Sequence, residues 1–538
     1  MNEIKSDNIN ELSQSAFKAL DQKDFKKGKL LLEKINVINP NLPDVNNNLG
    51  LLNFQENNIE KSIEFFDKAI KLNPNFSAAF CNLGIAYTKL NKFEFAETNL
   101  KNAIKINKKN FTAVYNLGNL YKIRGDLENA EKYLNESIVL NPNLIVAYNN
   151  LFELYDKSNQ LKKLNSITNK AKVYLKNNPI SEFFSGLNEY KKKNYDEVIK
   201  IFKKIELNKN DLTRNQIKNE ILAKSFDHIG QFEKAFYHFQ LANNLAQIKD
   251  NNVSDKKKFI YLIQKRLTYF SSKNFNKWNN IDIDNLDSDP IFLVGFPRSG
   301  TTLLDTILRT SPSIEVIEEK PIVNLFIKKL EEKIKINFDN LEKLDLDYVN
   351  EMRSTYFKYR QKYINSDSKK IYIDKMPFNL IHIGEITRFF PNAKFILSLR
   401  KPHDVILSCY MQQFSLNDAM AHFTNIEDAT NLYDLTMNLL EKYLELFKKN
   451  IFIIKYEDVV NDFDNNIKKL LNFLGVEWNN ELRNFHKTAS NRGMISTPSY
   501  NQVSQPLYNK SINRWKNYEK QFIKSQDLLN KWAKKFNY

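Results

Sequence analysis

Apolar and polar residues follow a helical spacing through the first half of the chain, and the pattern recurs every 34 residues. Leu-Gly or Leu-Phe pairs recur at this interval, at positions 49–50, 83–84, 117–118 and 151–152. A tyrosine keeps the same period, as Tyr87, Tyr121 and Tyr155. Small residues at fixed places allow two antiparallel helices to approach closely, while the bulky residues fill the space between them. The pattern therefore predicts a series of helical hairpins.

The period and these positions resemble the tetratricopeptide repeat. Four clear copies cover about residues 7–155, and a proline that would stop the second helix closes three of them. Degraded copies continue around "FFSGLNEYKKKNYDEVIKIF" and "AKSFDHIGQFEKAFYHFQLA". We predict an all-α solenoid over residues 1–250. Two roles stay open for it: a passive support or self-association surface, or a concave groove that presents a protein partner or substrate peptide.

The helical pattern fades over residues 251–289, where polar and acidic residues with a proline indicate a connecting region. Beyond it, short apolar and β-branched runs appear: "IFLVG", "KIYID", "AKFILSL" and "IFIIKY". Helical patterns separate these runs, and alternating strands and helices predict a parallel sheet covered by helices on both faces. The expected fold class is multidomain, with a helical solenoid followed by an α/β domain over residues 290–538.

Composition narrows the classes of partner. A chain of 538 residues is too long for one hydrophobic core. The net charge of +17 favours anionic ligands, but the lysines are spread along the whole chain, and we expect no nucleic-acid partner. Two distant cysteines, Cys81 and Cys409, exclude a disulfide framework. With no apolar segment at the N-terminus and no long apolar window, we expect a cytoplasmic protein without a membrane span.

The stretch "GFPRSGTTLL" follows the first predicted strand and has the residue types of an anion-binding loop. Gly295 and Gly300 allow close approach of the backbone, and Ser299, Thr301 and Thr302 supply hydroxyl donors. A helix that starts near Thr301 would direct its first N–H groups and its dipole at a phosphate. The loop lacks the lysine with which a Walker A loop ends. We therefore do not expect a kinase or an ATPase.

The stretch "GFPRSGTTLLDTIL" resembles the 5′-phosphosulfate loop of sulfotransferases, which use 3′-phosphoadenosine-5′-phosphosulfate (PAPS). It is most similar to the tetratricopeptide-containing branch related to tyrosylprotein sulfotransferases, and the resemblance extends over about residues 290–520. It implies a P-loop-like sulfotransferase domain with PAPS as sulfuryl donor and no required metal. The donor-binding residues implied here are Arg298, Ser299, Gly300, Thr301 and Thr302.

Four further stretches carry the same resemblance. "SLRKPHDVILSCY" matches the 3′-phosphate motif and implies that Arg400 and Ser408 bind that phosphate. "SIEVIEEKP" implies Glu319 as the catalytic base, and "YIDKMPFN" implies that Lys375 assists transfer. "KYEDVV" places Tyr456 near the nucleotide. The tail "PSYNQVSQPLYNKSINRW" resembles the family's closing loop over the donor.

The chemistry of sulfuryl transfer suits these residue types. The acceptor hydroxyl must lose a proton, which a carboxylate base can take. Negative charge builds on the bridging and sulfuryl oxygens, where Arg298 and Lys375 would stabilise it. His403 is the rival base, although we expect it to cap a helix or face solvent. Gln412 and Gln505 stand where the family carries positive charges.

The sequence thus predicts a sulfotransferase that acts on an acceptor hydroxyl, with a protein tyrosine as one candidate and a carbohydrate or small molecule as another. An alternative is a scaffold in which the solenoid binds partners and the sulfotransferase-like domain is catalytically silent. The joint presence of the loop, the 3′-phosphate pair and the base argues for the enzyme. No group of His or Cys residues has the spacing of metal ligands, and no metal is expected.

Overall fold

The computed structural model describes residues 2–158, 160–176, 178–251, 253–272, 289–364, 370–491 and 503–538. The chain divides into two compact units, Met1–Glu206 and Leu207–Tyr538. Residues 252 and 273–288 of the predicted connecting region lie outside the described residues. No helix within the described ranges has both the length and the apolar character needed to cross a bilayer.

The first unit is built from paired helices. They are α1 (Asn2–Asp21), α2 (Phe25–Ile38), α3 (Pro43–Gln55), α4 (Ile59–Leu72), α5 (Ser77–Lys89), α6 (Phe93–Ile106), α7 (Phe111–Arg124), α8 (Leu127–Leu140), α9 (Ile145–Lys157), α10 (Leu161–Tyr174), α11 (Pro179–Lys191) and α12 (Tyr195–Lys204). A Cβ atom added to Gly50 would lie 2.5 Å from the ring of Phe66, and one added to Gly186 would lie 2.2 Å from Phe202. The repeated small residue is therefore the point at which paired helices touch, and the degraded copy around Gly186 keeps that contact.

The second unit combines helices with a sheet. Its helices and strands are α13 (Leu212–His228), α14 (Phe232–Asp250), α15 (Lys256–Ser271), β1 (Ile291–Gly295), α16 (Thr301–Arg309), β2 (Ile314–Glu318), α17 (Ile322–Ile334), α18 (Leu346–Gln361), β3 (Ile371–Lys375), α19 (Ile383–Phe389), β4 (Lys394–Leu399), α20 (Pro402–Tyr410), α21 (Ile426–Phe447), β5 (Ile451–Lys455), α22 (Tyr456–Asn461), α23 (Phe463–Leu474), α24 (Phe485–Asn491) and α25 (Gln526–Lys535). Short 3₁₀ helices lie at Phe338–Lys343, Pro377–His382, Met420–Thr424, Lys448–Asn450, Asn480–Asn484 and Arg514–Phe522.

The described sheet has five strands in the order β2-β3-β1-β4-β5, and every pair is parallel. Four strands match the apolar runs from which a parallel sheet was predicted. The fifth, β2, was not predicted. It is an edge strand, and Glu315 and Glu318 interrupt its apolar residues. Buried side chains of the strands, such as Leu293 and Ile373, pack against Leu308 of α16 and form part of the core beneath the site.

The helices α13 and α14 belong to the second unit, although their sequence continues the repeat pattern. A chain of side-chain amides joins them to the segment after α20. Gln216 Nε2 donates to Gln413 Oε1 at 2.8 Å, and Gln413 Nε2 donates to Asn243 Oδ1 at 3.0 Å. Asn243 Nδ2 in turn donates to the carbonyl oxygen of Tyr410 at 3.0 Å, and the Tyr410 ring stacks on Phe236. The helix α15 likewise lies within the stretch from which we expected only a connection.

Candidate active site

The predicted anion loop lies at the carboxyl edge of the sheet. The chain builds β2 and β3 on one side of β1, and β4 and β5 on the other side. Gly295, the last residue of β1, is in register with Ser398 of β4, while Lys375 of β3 is in register with Glu318 of β2. Ligands of open α/β sheets bind outside the carboxyl ends of the strands, where the strand order reverses. The loop after β1 starts at this point.

Two glycines shape the loop between β1 and α16. A Cβ atom on Gly295 would lie 2.6 Å from both Ser299 Oγ and the carbonyl oxygen of Ser398. Gly300 has a φ of +105°, and a Cβ atom there would lie 3.1 Å from the Tyr456 ring. The Oγ atom of Ser299 is buried and has no hydrogen-bond partner among the described residues. The loop therefore holds an unsatisfied donor beside the first turn of α16.

Two arginines meet beside this loop. Arg298 Nε donates to Ser408 Oγ at 3.0 Å. Arg400 Nη1 donates to the carbonyl oxygen of Arg298 at 3.2 Å, and Arg400 Nη2 donates to the carbonyl oxygen of Ser511 at 2.7 Å. The guanidinium of Arg400 also lies 5.0 Å from the ring centroid of Tyr456. The structure thus places Arg298 of the loop beside Arg400 and Ser408, the two residues of the 3′-phosphate motif.

The electrostatics of this pair favour an anion. Burial, with a smaller effect of the neighbouring Arg400 charge, lowers the pKa of Arg298 to about 10. Arg400 is 9% exposed, and its Nε is buried without a hydrogen-bond partner in the described part of the chain. The hydrogen bonds of its other two nitrogens go to carbonyl oxygens rather than to carboxylates. Desolvated cations of this kind are stabilised by a bound anion.

Lys375 is buried behind a pair of glutamates. Its side chain is 0% exposed, and Nζ lies 2.7 Å from Glu319 Oε1 and 3.5 Å from Glu318 Oε1. The backbone N–H of Glu319 donates to the carbonyl oxygen of Lys375 at 2.8 Å. Glu319 has a φ of +50°, in the left-handed region, and its side chain is 35% exposed. The turn after β2 therefore directs Glu319 outward while Lys375 fixes one of its oxygens.

One cavity of about 210 Å³ joins these groups. Seven predicted site residues line it: Arg298, Gly300, Thr301, Thr302, Glu319, Arg400 and Tyr456. The other three, Ser299, Lys375 and Ser408, do not line it, but Lys375 binds Glu319 and Ser408 accepts a hydrogen bond from Arg298. Predictions made from separate segments thus converge on one place. The roles assigned to the individual residues stay predictions.

The rest of the cavity wall was not assigned from the sequence. Its further lining residues are Pro297, Leu303, Met376, Pro377, Phe378, Phe414, Met420, Phe485, Val503, Gln505, Pro506, Leu507, Tyr508 and Ser511. Some stand in stretches that already carried a signal, namely "KMPFN" and the tail described as a closing loop; the first five residues of that tail, 498–502, lie outside the described residues. Phe414, Met420 and Phe485 gave no signal, because an apolar residue on a helical pattern is indistinguishable from a core residue.

The rival base, His403, is not in the cavity. Its side chain is 1% exposed and stacks on Trp515 with ring centroids 4.2 Å apart. The expectation that it caps a helix or faces solvent was wrong, because the C-terminal segment covers it. Burial, followed by the charge of Lys401, lowers its pKa to about 4. Cys409 is also buried, and its Sγ donates to the carbonyl oxygen of Pro297, as expected of a packed residue.

The buried, neutral state of His403 predicts a loss of stability in acid. Because its pKa is about 4 in the folded protein and near 6.5 when unfolded, the unfolded chain binds more protons between these values. The free energy of unfolding therefore falls as the pH drops from 6.5 towards 4, by up to about 3 kcal/mol from this residue. In His403→Leu, which still contains His382 and His422, chemical denaturation over this range should give a flatter pH dependence. Parallel curves for the two proteins would contradict the assignment.

The two departures from the family pattern differ in position. Gln505 lines the cavity, whereas Gln412 does not. The Nε2 atom of Gln412 donates to the carbonyl oxygen of Gln413. The cations among the described lining residues are Arg298 and Arg400. Within the described ranges, no group of three or more His, Cys, Asp or Glu side chains has the arrangement of a metal site.

The fold and the cavity define the second unit as an α/β domain with a P-loop-like anion site. Residues 290–480 match the model of the sulfotransferase family, and residues 43–76, 65–97 and 111–144 match models of the tetratricopeptide repeat. The chain therefore contains a sulfotransferase-family domain preceded by tetratricopeptide repeats, as the sequence predicted.

Individual relatives are distant. An uncharacterised protein of Aquifex aeolicus is 27% identical over 323 residues, which cover 59% of this chain and 41% of that protein. Protein-tyrosine sulfotransferase 2 of Gallus gallus is 22% identical over 236 residues, covering 42% and 62%. The chain thus spans about two fifths and three fifths of the length of these two relatives. A solved tetratricopeptide repeat protein from Parabacteroides merdae has a TM-score of 0.35 and 16% identity, covering 44% of this chain and 93% of its own.

Proposed function

We propose that the protein is a sulfotransferase that moves the sulfuryl group of PAPS to an acceptor hydroxyl. The observation that carries the proposal is the single cavity lined by both arginines, the start of α16 and Glu319. An anion site and a candidate general base thus lie within reach of one bound molecule. The match of residues 290–480 to the sulfotransferase family gives the reaction class.

The residues around the loop fit a donor with two phosphate groups. The buried Oγ of Ser299 and the Nε of Arg400 both lack a partner among the described residues. Glycine is needed at 295 and 300 because a Cβ atom there would press against Ser299 and Ser398 or against Tyr456, so these residues let the loop keep its shape. We propose that residues 298–302 hold the 5′-phosphosulfate at the start of α16, and that Arg400 with Ser408 holds the 3′-phosphate.

When bound, PAPS supplies the sulfuryl group and a phosphate oxygen that leaves. Glu319 is proposed to take the proton of the acceptor hydroxyl at Oε2, because Lys375 already binds Oε1. Once Glu319 is protonated, Glu318 still gives the buried ammonium of Lys375 a counter-charge. Lys375 and Arg298 would stabilise the negative charge that develops between donor and acceptor.

A tyrosine side chain is the proposed acceptor. The cavity wall contains many apolar and aromatic residues, with Phe378, Phe414 and Phe485 among them. Such a wall suits the ring of a phenol better than a sugar, whose several hydroxyls would require polar partners. Several curated relatives are named protein-tyrosine sulfotransferases. A carbohydrate or small-molecule hydroxyl is the competing acceptor class.

The scaffold alternative, with a silent sulfotransferase-like domain, fits the site less well. One hydrogen bond joins Arg400 to Arg298 and another joins Lys375 to Glu319, and the two arginines and Glu319 line the same cavity. A binding module would need neither a buried lysine nor a carboxylate directed at the cavity.

Calorimetric titration of the full chain with 3′-phosphoadenosine-5′-phosphate, beside ATP with Mg²⁺, tests the donor. We expect tight binding of the bisphosphate and none of ATP, since the loop has no Walker lysine. Incubation with labelled PAPS and matched peptides that contain tyrosine or phenylalanine then tests the acceptor. Binding of ATP alone would replace the proposal with an ordinary nucleotide site. Binding of neither nucleotide would favour the scaffold.

A further inference from the structure

One wall of the cavity is a C-terminal segment that must be held in place. We define the wall segment as residues 503–518. Its cavity-lining members are Val503, Gln505, Pro506, Leu507, Tyr508 and Ser511. Residues 504–513 form turns and irregular backbone, and short 3₁₀ turns begin at Arg514. Val503 and Leu507 pack against the hydrophobic core, while polar contacts hold residues 511–518.

The first set of contacts to the wall segment comes from α20 and from Arg400, which precedes it. Asp404, which is 1% exposed, accepts the backbone N–H of Asn513 at 2.7 Å on one oxygen and that of Trp515 at 2.9 Å on the other. Arg400 Nη2 donates to the carbonyl oxygen of Ser511 at 2.7 Å. These bonds connect the wall segment to α20 and to the arginine assigned to the 3′-phosphate.

The second set of contacts comes from α13, whose sequence continues the repeat pattern. Asp227 Oδ2 accepts from Arg514 Nη2 at 2.6 Å, and Asp227 Oδ1 accepts from the Tyr518 hydroxyl at 2.6 Å. The Asp227 side chain is 11% exposed, and Tyr518 is 1% exposed with its ring against Phe232 and Phe236 of α14. Each carboxylate oxygen of Asp227 thus binds a different residue of the wall segment, and the carboxylate is largely shielded from solvent.

We propose that Asp227 is a positioning residue for donor binding. Arg514 stands between the two residues whose backbone Asp404 holds, so the carboxylates of Asp404 and Asp227 fix the same short stretch from two sides. With Asp227 in place, the carbonyl of Ser511 stays where Arg400 binds it, and both residues keep their places in the donor cavity. A helix with the sequence of a repeat thereby acts on the affinity for the donor. The inference rests on the proposed function.

Asp227→Ala and Arg514→Gln in the full chain test the proposal through the dissociation constant of 3′-phosphoadenosine-5′-phosphate. Each variant should weaken binding about tenfold, as expected for losing a partly buried charge-assisted contact. The double variant should be no weaker than Asp227→Ala alone, because that change already removes the Arg514 contact together with the contact to Tyr518. In assays with PAPS, the donor KM should rise while kcat and the acceptor KM stay within about twofold of wild type. Glu233→Gln is the matched control, since its exposed ion pair with Lys520 joins the next helix, α14, to the same 3₁₀ turns that contain Arg514.

The outcomes separate the possible failures. If the variants merely destabilise the protein, the binding stoichiometry falls while the dissociation constant is unchanged, and the proposal is overturned. Opposite effects of Asp227→Ala and Arg514→Gln would mean that the Arg514 charge acts on the anion directly, which also overturns it. Wild-type affinity in both variants would overturn the positioning role alone. Failure of the wild-type chain to bind the bisphosphate would overturn the proposed function and the positioning role with it.

Discussion

Replacing Glu319 with glutamine is expected to lower the rate of sulfuryl transfer by about 100- to 10,000-fold, the range in which general bases contribute. The amide keeps the size of the side chain and can still accept a hydrogen bond from Lys375, but it cannot take a proton. Binding of 3′-phosphoadenosine-5′-phosphate should stay near the wild-type value, because the donor contacts lie on the loop and on Arg400. Transfer rates with saturating PAPS, together with calorimetric binding, measure the two effects separately.

Glu318→Gln is the matched control for this experiment. The two glutamates are neighbours in sequence and both approach Lys375, at 3.5 Å for Glu318 and 2.7 Å for Glu319, but Glu318 does not line the cavity. We expect a much smaller loss of transfer in this variant. If Glu318→Gln abolished transfer and Glu319→Gln did not, the base would have to be reassigned. Equal, large losses in both would indicate that placing Lys375, rather than proton transfer, is the main requirement.

Replacing Arg400 with alanine is expected to weaken binding of the 3′-phosphorylated nucleotide by about 10- to 100-fold. This corresponds to the roughly 1.5–3 kcal/mol of a hydrogen bond to a charged group. Arg400 is nearly buried and its Nε has no partner in the described chain, so a phosphate would satisfy it. The measurement is a pair of titrations, one with 3′-phosphoadenosine-5′-phosphate and one with the analogue that lacks the 3′-phosphate. Only the first should lose affinity.

Arg483→Ala removes the same charge from a surface position, where Arg483 pairs with Asp464 and is 54% exposed. It should leave both nucleotide affinities unchanged, which separates a local contact from the effect of net charge. Equal losses for the two nucleotides in Arg400→Ala would assign Arg400 to the shape of the cavity through its bond to Ser511, not to the 3′-phosphate.

The strands that the sequence predicted are those whose side chains are almost all apolar. The run 291–295 is buried from Phe292 onward, so its composition already identifies a central strand. The edge strand β2 was missed because Glu315 and Glu318 break its apolar pattern, and its parallel partner β3 is distant in sequence. A run of apolar residues identifies a strand that is buried on both faces. It does not show which more polar stretch forms the edge of the sheet.

The site was predictable where chemistry requires particular residue types. Arg298, Glu319 and Arg400 could be located because the stretches that carry them resemble sulfotransferase motifs, and all three line the cavity. Phe414 could not be assigned, since an aromatic residue serves a cavity wall and a core equally well. His403 was placed wrongly because the segment that buries it, around Trp515, is more than 100 residues away in the sequence. Burial of one residue by a segment so distant in the sequence can be seen only in the folded structure.

The hydrogen bonds among the side-chain amides of Gln216, Gln413 and Asn243 affect where the repeats could be exchanged for those of another protein. Because this set of bonds joins α13 and α14 to the segment that carries Phe414, these two helices would be inherited together with the sulfotransferase-family domain. A genetic exchange that swapped repeat arrays near residue 206 would leave every described contact of the cavity intact. An exchange anywhere in 251–289 would separate Asp227 from Arg514. We expect natural shuffling of repeats to respect the former junction and avoid the latter.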